Sequence, residues 1–336
     1  MSGFDRHGSG NALRRVRAED KRLLDCRADA NQLLPVKYHW ARDHYLAACE
    51  ADRRWLPAHI DMARDVECWR DPDGLSDVER RVVRRTLGFF ASASALAAST
   101  VALGLYRHVT NPECRQFLLR QAARAEVHVD ACEHIVASLD LDAGEIFNMC
   151  HEVPSMRDRI EFLLPFMDTL TDPDLRTDEP QSDQRFLACL IVFVCLMQGL
   201  FFESAAAPIV EMGRRARMTG TARHFRHVLR DLSAQRDFGI ELIREIKREN
   251  PRLWTDELRS RLIELFRVAL GLEYRSLDDT LEGAAAGLDI RAFKRHARCL
   301  ADRGSRETGL GPLYARGATA ADPVRHEAMR LRAVAP

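Results

Sequence analysis

The chain has 336 residues with 50 Lys+Arg against 50 Asp+Glu. This zero balance argues against nucleic acid as the main partner, because binding a phosphate backbone needs a positive surface. With 46% hydrophobic residues it can fill one large helical core or two domains. Only Lys21, Lys37, Lys247 and Lys294 are lysines, a bias towards arginine that codon usage explains without a phosphate site. Nine cysteines lie scattered with no CxxC pair, which reads as reduced thiols of a cytoplasmic protein and not as a disulfide scaffold.

From the N-terminus, residues 1–11 read as a flexible end, and Met1–Lys21 holds no apolar stretch of signal-peptide kind. Gly 18 and Pro 13 make up about 9% of the chain, against a usual ~12%. They sit in short breaks at Asp71-Pro72-Asp73-Gly74, Asn111-Pro112, Thr171-Asp172-Pro173, Glu179-Pro180 and Asn250-Pro251. Between the breaks, apolar residues recur in alternating steps of three and four, which predicts helices packed in a bundle. One stripe is Leu87, Phe90, Ser94, Ala97 and Val101; the next is Leu118, Ala122, Ala125, Val129, Cys132, Val136 and Leu139. Two more run Leu187, Ile191, Val194, Gln198, Phe201, Ala205 and Phe225, Val228, Leu232, Gln235, Gly239, Leu242, Ile246. The single long apolar stretch, Phe186–Phe202, is slightly short for a membrane span and is read as the buried centre of the bundle, with no membrane partner. Residues 315–336 read as a flexible tail, and no stretch supports a strand. The predicted fold class is all-α, a four-helix core with flanking helices.

Each stripe carries a polar residue near mid-helix: Ser94, Gln198 and Gln235 on three of them, and His128 beside the fourth. They form one shared interior site, or they are four unrelated polar residues satisfied by backbone and water. Spacing alone favours the second, because hydrogen-bonded polar residues are common in cores. Glu126, Asp130, Glu133 and His134 share the opposite helix face, which reads as a solvated charged face and not as a displaced metal site. Cys132 lies four residues from His128 and reads as a small packing residue before a thiolate–imidazolium pair. Glu203 is five residues past Gln198 and falls off its face. No Walker loop, HExxH, GxSxG or dinucleotide fingerprint occurs.

The runs Arg54-Trp55-Leu56-Pro57, Leu87-Gly88-Phe89-Phe90, Glu113-Cys114-Arg115-Gln116, Gly144-Glu145-Ile146-Phe147, Gly199-Leu200-Phe201-Phe202 and Leu229-Arg230-Asp231 resemble the ribonucleotide reductase small (beta) subunit. The similarity keeps its spacing from about Arg15 to Tyr314, so residues 12–314 are expected to form one domain. The resemblance implies a ferritin-like helical bundle, a homodimer, and a di-iron or iron/manganese centre that makes a radical on a nearby Tyr. It also implies a large subunit that receives the radical and reduces ribonucleotides.

For the metal, the resemblance implies one Asp, three Glu and two His. The six positions here hold Ser94, Ala125, His128, Gln198, Leu232 and Gln235, and the radical-tyrosine position holds Cys132. One ligand of six is kept, and the replacements are neutral, as a core folding without metal requires. No metal or other cofactor is therefore expected, and no catalytic residue. Trp55 and Asp231 match the family's residues that link by hydrogen bonds to the metal-bound His, here His128, and are read as a vestigial relay. The family's C-terminal tail, with its relay Tyr and docking role, is unmatched, since the last tyrosine is Tyr314. The expected function is a non-catalytic paralogue acting as regulator, scaffold or heterodimer partner of a genuine small subunit, with large-subunit docking weakened. The alternative is a working small subunit using a metal-poor mechanism. A third is a repurposed oxidase with one weak metal at His128, Glu126 or Glu203.

Overall fold

Ser76 opens the first core helix: its side chain accepts from the backbone N–H of Glu79 while the Glu79 carboxylate takes the Ser76 N–H at 2.9 Å, a reciprocal cap. Asn111 caps the next helix, with Pro112 at its first position, where a missing N–H costs nothing. The computed structural model describes residues 39–52, 55–177, 179–284 and 287–314, so the expected loose ends lie outside the described residues. Among the described residues every long element is helical. They are α1 (His39–Asp52), α2 (Ala63–Arg70), α3 (Asp77–His108), α4 (Pro112–Ser138), α5 (Ala143–Glu152), α6 (Pro154–Thr171), α7 (Pro180–Arg214), α8 (Thr219–Glu249), α9 (Asp256–Thr280) and α10 (Ile290–Glu307).

Helices α3, α4, α7 and α8 form the core, with α5 and α6 packed on α3, α1 on α4, and α9 and α10 on the α6 and α7 side. The stripe of α3 is wholly buried, from Leu87 through Val101. Those of the other three are buried except at Ala122, Val129, Ala205 and Ile246, which are half-buried at the rims. Side-chain contacts fix the register. Thr86 Oγ1 donates to the Ala205 carbonyl at 3.2 Å, and the Phe90 and Phe202 rings lie 4.9 Å apart, so α3 and α7 run antiparallel. Helices α7 and α8 are antiparallel too and approach closely at two glycines. A Cβ on Gly213 would stand 2.2 Å from Ala222 Cβ, and one on Gly239 would stand 2.5 Å from Val194. On α4 and α8, Phe117 stacks on Phe238 at 3.9 Å and His134 lies 5.4 Å from His224.

Two expectations need correction. Phe186–Phe202 is not the single membrane-like stretch: α3 is also long and apolar enough to cross a membrane by length and composition, although most of both helices is buried inside the protein. And α3 and α7 are not regular throughout, because Thr100–Leu105 and Val192–Phe202 are wound as π-helix. The second segment is buried on every side, so it carries no amphipathic phase from which an extra residue per turn can be read.

Candidate functional site

The register of α3 on α7, which pairs Thr86 with Ala205 and Phe90 with Phe202, sets Ser94 across from Gln198. Gln198 in turn donates from Nε2 to Gln235 Oε1 of α8 at 3.1 Å. All three are buried, and so are Ala125, His128 and Leu232. Mid-helix polar residues therefore do meet at one depth, but they divide. The two glutamines bond each other, and His128 turns to Asp231. Ser94 Oγ and Gln198 Oε1 find no hydrogen-bond partner within the protein.

Asp231 is the charged centre. Its Oδ2 accepts from Trp55 Nε1 at 3.3 Å, from Arg124 Nη2 at 2.5 Å and from Arg124 Nε at 3.1 Å, and it lies 3.4 Å from His128 Nε2. Burial works against the ionised carboxylate, but His128 and the Arg124 guanidinium outweigh it and hold Asp231 below the ordinary carboxylate range. The Trp55 ring carries the Arg124 guanidinium 5.0 Å from its centroid and stacks on His227 at 4.9 Å with 13° between planes. Burial, with Arg230 close by, pushes the His227 imidazole down to about 4, so it is neutral at pH 7. The loop after Trp55 is anchored too, since the Pro57 carbonyl lies 3.3 Å from Nε2 of the buried His224. Buried Asp65 accepts from the Gly220 and Thr221 backbone N–H groups at 2.9 and 2.6 Å and so caps α8.

Cys132, at the radical-tyrosine position of the resemblance, is buried, and burial with Glu133 nearby pushes its thiol up to about 12. It is a packing residue and not a thiolate. Glu126, Asp130 and Glu133 are exposed, as a solvated face requires. His134 departs from that face: it lies against His224, and its Nε2 is buried. Glu203 faces α10 and α8, where it accepts from Arg303 at 2.5 Å and lies 3.6 Å from Arg236. Neither Glu126 nor Glu203 is thus brought to His128. Among the described residues no group of three or more His, Cys, Asp or Glu is placed to hold a metal ion.

Arg124 and His227 are the members of this site that spacing does not reveal. An arginine on a buried face reads as a surface residue that has strayed, until the fold sets Asp231 beside it; Arg124 lies four residues before His128 on the same face.

The family model described as "Ribonucleotide reductase, small chain" matches residues 30–321. The chain is 39% identical over 303 residues to the ribonucleoside-diphosphate reductase subunit beta of Chlamydia pneumoniae, covering 90% of this chain and 87% of that one. Among solved structures it is similar to a putative class I ribonucleotide reductase from Bacillus halodurans, with a TM-score of 0.76 at 16% identity over 86% of this chain and 99% of that one. It also resembles the ribonucleotide reductase R2 subunit from Clostridium botulinum, with a TM-score of 0.73 at 20% identity over 82% and 84% of the two chains. Those likenesses establish the ferritin-like bundle. The match of family model and relative over most of the length makes the chain a member of the ribonucleotide reductase small-chain family.

Proposed function

We propose that this family member does not build a dimetal–tyrosyl radical centre and acts as a non-catalytic paralogue: a regulator, a scaffold or the dimer partner of a metal-loaded small subunit. The observation that carries the reading is the donor set. Hydroxyl, methyl, amide, isobutyl and amide groups stand at Ser94, Ala125, Gln198, Leu232 and Gln235, and one imidazole stands at His128. Hard divalent cations take carboxylate oxygen and imidazole donors, so these residues do not fit a di-iron or iron/manganese centre. The Gln198–Gln235 bond supports it further, because two of these positions are joined by a direct amide–amide hydrogen bond. For dimer formation the outer face of α3 is the best-suited surface. No charged residue occurs from Ala91 to Leu105, and Ala95, Ser99, Ala102 and Leu103 are exposed, Leu103 at 64%.

The second reading, a working subunit with a metal-poor mechanism, draws on the intact Trp55–Asp231–His128 linkage. Turnover separates the two. Purified chain mixed with a large subunit and reductant is expected to yield no deoxyribonucleotide, whereas measurable product supports the second reading and sinks the first.

A further inference from the structure

We propose that Arg124 is this chain's internal counter-ion for Asp231, supplying from a side chain a positive charge beside a carboxylate that the resemblance links to a metal-bound His. The inference rests on the metal-free reading above and adds the residue that balances this carboxylate. Asp231 and Arg124 are each 7% exposed, so the carboxylate lies where an uncompensated charge is not tolerated. Two N–H groups of the one guanidinium converge on the same Oδ2, at 2.5 and 3.1 Å. The guanidinium is held a second time by the face of Trp55, whose own Nε1 donates to that oxygen.

The other titratable groups around the carboxylate do not pair with it in this way. Arg230 stands 3.8 Å from Oδ1 with its side chain 35% exposed. His227 is neutral and stacks on Trp55. His128 also helps hold the carboxylate ionised, but through a single contact at 3.4 Å. The compact, buried, two-pronged pairing belongs to Arg124, and it immediately precedes Ala125, the place where the family resemblance implies a carboxylate.

Thermal unfolding of the full chain tests this with Arg124→Met, Asp231→Asn, Arg124→Lys and the double variant Arg124→Met/Asp231→Asn, with the metal content of every preparation measured alongside. Leaving either charge buried alone is expected to lower Tm, Arg124→Met by about 10 °C. The double variant is expected to regain at least half of that loss, and Arg124→Lys to keep part of the wild-type value. If Arg124→Met does not fold, soluble expression of the double variant is the same rescue. The proposal is overturned if Arg124→Met melts within about 2 °C of wild type, if the two single losses simply add, or if the double variant is as insoluble as Arg124→Met. Failure of the metal-free reading shows itself separately, as metal in the wild-type preparation, and leaves the coupling between the two side chains to be read by itself.

Discussion

At Gln198 and Gln235 the core carries two amides whose value lies in their pairing. Replacing Gln198 alone by Leu strands the Gln235 oxygen and is expected to cost about 1–3 kcal/mol, whereas Gln198→Leu/Gln235→Leu removes both polar groups and is expected to lie within about 1 kcal/mol of wild type. Chemical denaturation of the three proteins measures this; a double variant as unstable as the sum of the singles would contradict it. His227 gives a pH signature. Its imidazole falls to about 4 in the fold, mainly through burial, from an ordinary 6.5. The unfolded chain therefore binds the proton first as pH drops. The stability tied to His227 is complete above pH 6.5 and is lost as pH falls through about 4. Buried His224 is shifted the same way. His227→Phe keeps the ring on Trp55 and removes the titration, so its unfolding free energy is expected to fall less steeply over that window than that of wild type.

Among the elements, the helices were legible where their stripes have a polar side to contrast with, as in α4 and α8, and where a cap or proline marks the break. The π-wound centre of α7 was not, because eleven residues buried on all sides have no phase. The meeting of Ser94, Gln198 and Gln235 was legible only as an alternative. Periodicity places each residue on a face, but the turn lengths and the close approach of α7 to α8 decide which faces meet. The pairing of Arg124 with Asp231, separated by 107 positions, was beyond any local pattern. Gly239 tests the approach. An added methyl would stand 2.5 Å from Val194, so Gly239→Ala is expected to destabilise by about 1–3 kcal/mol despite the better helix propensity of alanine. Unchanged thermal unfolding would show that α7 and α8 have room to separate.

On the scale of the whole molecule, the family fold is retained with neutral side chains at Ser94, Ala125, Gln198, Leu232 and Gln235, while buried Asp231 is paired with Arg124 and buried Glu273 with Arg159. In the proposed dimer the uncharged outer face of α3 is the shared surface. Leu103→Arg, which places a charge at its most exposed apolar point, is expected to shift the chain towards monomer in sedimentation analysis without changing its helical content. Chelator is expected to leave Tm unchanged, because a ligand that does not bind the folded state cannot stabilise it. Most direct of all is the metal content per chain, determined by elemental analysis after anaerobic loading with ferrous and manganous ions and desalting. Less than about a tenth of an equivalent is expected for a donor set with one imidazole and no carboxylate. One or two tightly held equivalents would contradict the metal-free reading.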